Sequence, residues 1–285
     1  MPAFKNILFP IDFSDRSKAL CPYVKTVAEQ FQAKLTVMHV VEVPIETFGR
    51  VDRSFPVVFD FPAMKPHLLD MLKEYAVVAG AERAVEEGDA AYNIAGYASE
   101  HGIDLIMMPT HGYGKFRSLL MGSVVSKVLH DADCAVWTAP HADDPAMREH
   151  LPCRHIVVAV DRGVEQTPVL RRAAELSKEL DAGLSLVHAV PGAESQPYDT
   201  GGDEFGLFLL DAARKEMIRL QAEAGTSFDA SVMAGSVGKV VRQAVLDRNA
   251  DLVIIGRGVM HETFGRLRTQ SYDIIRQSPC PVLSL

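Results

Sequence analysis

No apolar run in this sequence approaches the roughly 20 residues that a bilayer-spanning helix needs, so no membrane-embedded helical protein is expected. The N-terminus lacks the basic, apolar and small-residue succession of a secretory signal. A long basic block is also missing, and the net charge is −8. Such a field disfavours nucleic acid or an anionic membrane surface as the main partner. A small anion stays admissible, because backbone amides supply a local positive field. The four cysteines, Cys21, Cys134, Cys153 and Cys280, form no CxxC pair. They read as buried reduced thiols, and the expected compartment is the cytoplasm. What is present is ordinary for a globular protein: 48% hydrophobic residues, 23% charged residues and 285 residues in all. That length suits about two domains.

The chain is written twice. Asn6-Ile7-Leu8-Phe9-Pro10-Ile11-Asp12 returns as His155-Ile156-Val157-Val158-Ala159-Val160-Asp161. Val37-Met38-His39-Val40 returns as Leu186-Val187-His188-Ala189, and the Asn6–His155 and His39–His188 pairs share one separation, 149 residues. Asp104-Leu105-Ile106 returns as Asp251-Leu252-Val253, and Asp133-Cys134-Ala135-Val136 as Pro279-Cys280-Pro281-Val282. Four landmarks in one order predict two copies of one fold, over residues 1–142 and 153–285. A polar linker at His141–Pro152 joins them.

Within each copy, short apolar strands alternate with helical segments, the pattern of a parallel sheet covered on both faces. Strands are expected at Ile7–Ile11, Lys34–Val41, Ala81–Glu87, Ile103–Met108 and Ala135–Thr138. Helices are expected at Ser14–Phe31, about Lys65–Ala76, Ala90–His101 and Ser123–His130. The second copy predicts strands at Ile156–Val160, Leu184–Ala189, Ser227–Met233, Leu252–Ile255 and Val282–Leu285. Its helices are expected at Thr167–Leu180, Phe205–Ala222, Val237–Arg248 and Thr269–Gln277. Ser14 suits the first N-cap, and Pro22 should kink that helix or delay its start. Pro44–Pro62 reads as an irregular loop, by default a surface excursion and otherwise a lid. Trp137, in the last strand of the first copy, should pack within or between the halves.

The residues that suggest chemistry lie after the fourth strand of the first copy, from Met108 to Val124. Glycines there let backbone amides approach an anion. Gly122-Ser123 stands at a helix start, where free N–H groups and the helix dipole face one spot. Lys115 and Arg117 could add counter-charge. The alternative is a plain glycine turn with a serine cap, and the loop alone weighs both equally. His111 has no metal-spaced partner, so a ligand or general-base role is not expected. His39 and His188 read as structural.

This loop resembles the nucleotide loop of the universal stress protein family, G-x2-G-x9-G-[S/T]. Gly112 matches its second glycine, and Gly122-Ser123 closes the motif after nine residues. Pro109 stands where the first glycine is usual, which removes one N–H. The opening strand with Asp12-Phe13-Ser14, Met38-His39-Val40 and Cys134-Ala135-Val136 match as well, so the resemblance covers both halves almost end to end. It implies an α/β fold of two tandem doubly wound parallel five-stranded sheets, adenine nucleotide alpha hydrolase-like, each with strand order 3-2-1-4-5. The reversal of order between the first and fourth strands is a switch point, where such sheets bind ligands. By position, Asp12 and the Val40 backbone would hold the nucleoside, with Pro10, Met108 and Pro109 at the pocket. Gly112, Gly122, Ser123 and the Val124 amide would take the phosphates. Pairing through last strands would make the halves an internal pseudo-dimer, and a further homodimer is open.

In the second copy Asp161 is retained, and the corresponding loop opens on Gly256, with one residue lost between its first two glycines. From Gly258 the nine-residue spacer survives, but Arg268 replaces the third glycine before Thr269. An arginine at that helix entrance fills a phosphate's place, or pairs with one. A dead or altered site is the favoured expectation. Arg257, Arg266 and Arg268 read as solvated charge, or alternatively as contacts for phosphate or an acidic partner. The resemblance thus implies a stress-response regulator or sensor binding ATP (or AMP or ADP), with or without Mg, and an unidentified protein partner. Two alternatives stand beside it. A slow ATP hydrolase or nucleotidyl-transfer enzyme would need more than Asp12, His111 and Ser123, because paired carboxylates are missing. A nucleotide-free dimeric scaffold is the other, motivated by Pro109 and the degenerate second loop.

Overall fold

Alternation of apolar strand segments with capped amphipathic helices sets the chain order. In the computed structural model, which describes residues 3–42, 60–76, 78, 80–110, 121–140, 152–161, 166–193, 202–257 and 269–285, the first half runs β1 (Asn6–Pro10), α1 (Asp15–Phe31), β2 (Lys34–Val41), α2 (Phe61–Tyr75), β3 (Glu82–Glu87), α3 (Ala90–Glu100), β4 (Leu105–Pro109), α4 (Ser123–Asp131) and β5 (Ala135–Ala139). The second half runs β6 (His155–Ala159), α5 (Gln166–Glu179), β7 (Gly183–Val190), α6 (Gly202–Ala224), β8 (Asp229–Ala234), α7 (Val237–Arg248), β9 (Leu252–Ile255), α8 (Thr269–Gln277) and β10 (Val282–Ser284). His111–Leu120, most of Pro44–Pro62 and most of the His141–Pro152 linker lie outside the described residues.

Two helices start three or more residues before expectation, α6 at Gly202 rather than Phe205 and α2 as well. α2 begins at Phe61, four residues before Lys65, because the Asp60 carboxylate caps it by accepting from the Ala63 N–H at 3.1 Å. Pro62 sits in the first turn, where its missing N–H removes nothing. α1 starts at Asp15, so Pro22 does not delay it. Pro22 is exposed, and water can serve the carbonyl left without a donor.

Each half has strand order 3-2-1-4-5, all parallel, and β5 pairs antiparallel with β10. The two five-stranded sheets therefore form one ten-stranded sheet, β3-β2-β1-β4-β5-β10-β9-β6-β7-β8. Trp137 and Leu283 are equivalent residues of the repeat and stand opposite each other in that junction. An approximate two-fold axis normal to the sheet therefore passes between them. One face carries α1, α2, α5 and α6 over a core including Val24, Leu72, Leu170 and Met217. The other carries α3, α4, α7 and α8 over Ile94, Val128, Val241 and Ile275.

The repeated aspartates are structural anchors. Asp104 accepts from the Lys5 and Asn6 amides at 2.8 and 3.1 Å, and Asp251 from those of Arg154 and His155 at 2.7 and 3.2 Å. Each carboxylate ties the start of the first strand of its half to the fourth. The N-terminal segment crosses to the second half, where Ala3 donates to Glu179 at 2.8 Å and accepts from Arg172. Arg257, expected in the loop as solvated charge or a ligand contact, instead points into the junction between halves, where it donates to carbonyls at the end of α4. The last carbonyls of a helix lack intrahelical donors, and a guanidinium competes well with water for them. Cys21, Cys153 and Cys280 are buried and Cys134 half-buried, all as free thiols. Burial pushes Cys21 and Cys134 up to about 11 and Cys153 and Cys280 to about 12, so they are protonated at neutral pH. Among the described residues, no helix is long and apolar enough to cross a membrane.

Candidate functional site

A cavity of about 660 Å³ opens at the ends of β1 and β4, the switch point of the first half. Its walls bring together Pro10, Asp12, Val40, Met108, Pro109, Gly122, Ser123 and Val124. Ser17, His39 and Glu42 line it too. Gly112 lies outside the described residues.

At one end, Asp12 follows β1. Its Oδ1 accepts from the Ser14 N–H at 3.0 Å and the Ser17 hydroxyl at 2.6 Å, which fixes the carboxylate. Phe13 has φ 57, a costly left-handed conformation for a bulky residue. Its ring packs on His39 at 4.5 Å and Tyr75 at 5.0 Å, and these contacts hold the turn. His39 Nδ1 lies 2.9 Å from the Ile11 carbonyl, and His188 Nδ1 lies 2.7 Å from the Val160 carbonyl. Both histidines thus pin the end of one strand to the next. The Ile11 N–H donates to the Met38 carbonyl at 2.8 Å, so Met38 turns its polar groups toward β1. By strand alternation Val40 faces the same side, where β1 has already ended.

At the other end, α4 starts. Its N-cap Gly122 makes no side-chain cap bond, in contrast to Ser14, Asp60 and Asp89, which cap α1, α2 and α3. The Gly122 N–H is committed to the Thr110 carbonyl at 3.1 Å. The first intrahelical bond runs from the Ser126 N–H to the Gly122 carbonyl at 2.9 Å. The amides of Ser123, Val124 and Val125 therefore have no intrahelical acceptor at the cavity wall. Gly122 has φ −59 and ψ 143, which any residue adopts. The glycine therefore relieves no backbone strain there.

The cavity is thus polarised. Asp12 presents a carboxylate after β1, and Glu42 adds another where it accepts from the Ala90 N–H at 3.1 Å. The α4 start presents N–H groups and the positive end of the helix dipole. Apolar walls from Pro10, Ile94 and Met108 lie between. A ligand with hydroxyl donors, a flat apolar body and an anionic group fits this order. Among the described residues, no group of three or more His, Cys, Asp or Glu is placed to hold a metal.

The second crevice is built differently. Asp161 follows β6, Gly256 follows β9 and Thr269 opens α8, while Gly258 and Arg268 lie outside the described residues. Gln166 stands where Ser17 stands in the first half, and it is 2% exposed. A Cβ on Gly256 would come within 3.1 Å of Val169 Cγ2 and 3.3 Å of Gln166 Nε2, so this crevice is filled by side chains. Ser17, Glu42 and Gln166 escaped the sequence reading; aligning the copies position by position would have flagged the Ser17–Gln166 exchange. A second groove, lined by Tyr92, Lys127, His130 and Tyr272 among others, lies between α4 and α8. Its polar groups pair internally, Lys127 with Asp89 as an ion pair and His130 Nδ1 with the Asp131 carboxylate at 2.5 Å.

Comparison with known proteins gives a consistent picture. The family model described as "Universal stress protein family" matches residues 3–140 and 152–285. The universal stress protein YxiE of Bacillus subtilis is 32% identical over 144 residues, covering 47% of this chain and 97% of its own. The universal stress protein MJ0531 of Methanocaldococcus jannaschii is 28% identical over 136 residues, covering 47% of this chain and 80% of its own. Among solved structures, a universal stress protein from Archaeoglobus fulgidus superposes with a TM-score of 0.68 at 20% identity, covering 98% of this chain and 97% of that one. That likeness concerns the fold.

Proposed function

The chain belongs to the universal stress protein family over both of its halves, and from that premise we propose that its first half binds an adenine nucleotide, ATP foremost, and acts as a nucleotide-dependent regulator in the stress response. The observation that carries this reading is the α4 start, left without a side-chain cap and opening on a cavity whose far end holds the fixed Asp12 carboxylate. Asp12 and the Val40 backbone hold the nucleoside, with Pro10, Met108 and Pro109 as walls. The Ser123 and Val124 amides, with Gly112, take the phosphates, and Gly122 gives them room. Pro109 ends β4 opposite Ala139 and contributes shape rather than an N–H.

The second half, with Gln166 in its crevice, takes no nucleotide on this reading. It serves as the partner within an internal pseudo-dimer. Unpaired thiols suit the reducing cytoplasm. Asp12 is committed to the Ser14 N–H and the Ser17 hydroxyl, Glu42 to the Ala90 N–H, and binding rather than turnover is our reading.

The test begins with the purified protein, denatured so that any released nucleotide is identified by mass spectrometry. ATP, AMP and ADP are then titrated by calorimetry, with and without Mg. We expect one ATP per chain and no hydrolysis over hours. Gly122→Asp should abolish binding, since a carboxylate at the phosphate position repels it at close range. Neither released nucleotide nor binding heat would leave the scaffold reading. Normal binding by Gly122→Asp together with failure of Arg268→Ala would move the site to the second half.

A further inference from the structure

Arg257 stands one residue beyond Gly256, at the second crevice, yet its side chain leaves that half. Nη1 reaches the Ala132 carbonyl at 3.0 Å and the Leu129 carbonyl at 3.4 Å, and Nη2 donates to the Cys134 carbonyl. These groups close the C-terminal end of α4, with Ala132 as its C-cap. The Arg257 backbone is pinned as well, its N–H donating to the Leu285 carbonyl at 2.7 Å. A guanidinium carries its donors in a planar fork spread over three nitrogens and so reaches carbonyls set farther apart than the single nitrogen of an ammonium can. The cation also meets the negative end of the helix dipole.

The contact is made once in the pseudo-dimer. Thr110 is the counterpart of Arg257, its N–H donating to the Ala139 carbonyl at 3.1 Å as Arg257 does to Leu285. Its side chain is too short to reach the far helix. At the corresponding end of α8, the Ser278 hydroxyl donates to the Cys280 carbonyl at 2.7 Å instead. So the second half grips α4, a helix whose opposite end forms part of the wall of the first-half cavity. α4 has nine residues and is about 13 Å long, short enough to move as one rod. Tyr272 of α8 adds a weaker hold at the Ser126 carbonyl, 3.4 Å away.

We propose that Arg257 is a positioning residue for the first-half site: acting from the second half, it holds α4 so that the Ser123, Val124 and Val125 amides meet the ligand's phosphate. This rests on the nucleotide reading above. It gives the second half a duty other than binding nucleotide itself. The residues from Gln166 through Gly256 and Arg257 to α4 also form a continuous line between the two crevices.

The test uses the full chain as wild type, Arg257→Ala and Arg257→Lys, with ATP and adenosine affinities measured at fixed salt and Mg and thermal unfolding recorded alongside. Arg257→Ala should weaken ATP about tenfold or more, the scale of one to two charged hydrogen bonds. Adenosine, which reaches only the Asp12 and Val40 end, should keep its wild-type affinity, and Arg257→Lys should fall between. Loss for both ligands together marks general loosening and overturns the proposal, as does unchanged ATP affinity. Should Arg257→Ala fail to fold, Arg257→Lys and Gly256→Ala decide. The new methyl at 256 crowds Val169 and Gln166 and shifts the backbone that carries Arg257. Wild-type ATP affinity in both variants overturns the clamp. A wild-type protein that binds neither ligand overturns the nucleotide reading itself, an outcome distinct from binding that ignores Arg257.

Discussion

His155 begins β6 with Nε2 2.9 Å from the Ser185 hydroxyl, and its ring occupies the space that a side chain at Gly183 would need, 2.8 Å from Nδ1. Burial holds its pKa below the ordinary 6.5, and the charge of Arg248 adds to that, against opposing pulls from Asp251 and Asp229. The sign follows directly. The folded state keeps the ring neutral, while the unfolded chain takes up a proton near 6.5, so the contribution to stability is full above that pH. It is lost as pH falls from 6.5 through the lower folded value. Thermal unfolding measured down this range should show the wild type losing stability faster than His155→Gln. Equal slopes would assign the pH dependence to other groups. Among carboxylates, Asp89 has its pKa lowered by the Tyr92 N–H and by Lys127, but it is too exposed to contribute much.

Helices show how local preference and tertiary packing divide the outcome. Alanine in place of a helical glycine gains up to about 1 kcal/mol in an open position. Gly96 in α3 has nothing within 4 Å of the point where a Cβ would sit, so Gly96→Ala should raise the melting temperature. Gly206 in α6 would place that atom 2.8 Å from the Ala193 carbonyl oxygen, a backbone group that cannot swing aside. There the clash outweighs propensity, and Gly206→Ala should lower the melting temperature; a rise would mean the loop carrying Ala193 gives way freely. The same division governs what could be read from the sequence. Doubly covered strands declare themselves as apolar runs, and the Gly122-Ser123 helix start declares itself by residue type. The start of α2 did not, because Pro62 reads as loop until Asp60 is seen capping. Ser17 and Glu42 reach the cavity from elements remote from the glycine motif, and Arg257 meets Leu129 across a separation of 128 residues. Such contacts are products of tertiary packing, to which no local pattern points.

For the whole molecule, the β5–β10 junction decides whether the repeat behaves as two bodies or one. Three residues of each strand pair there, Val136, Trp137 and Thr138 with Ser284, Leu283 and Val282. The Thr138 hydroxyl adds a bond to the Val282 carbonyl at 3.2 Å. Trp137 and Leu283, 3% and 0% exposed, are inaccessible to water at the pseudo-two-fold axis. Arg257 grips α4 on one face of the sheet, and Ala3 meets Glu179 and Arg172 on the other. Separating the halves would strand buried backbone acceptors and expose apolar side chains at once, so neither half should persist alone when the other unfolds. Trp137 is the sole tryptophan of the chain and lies on this seam, 6.4 Å from the Tyr23 ring. Its fluorescence therefore reports parting of the halves, whereas far-ultraviolet circular dichroism reports loss of helix and strand throughout. In a urea titration the two signals should follow one curve with one midpoint. Leu283→Ala, which removes buried contacts at the axis, should move both midpoints down together by an amount reflecting about 2–5 kcal/mol. A fluorescence change that precedes the dichroism change would mean that the halves part first, and that the continuous sheet is a docking of two independent folds.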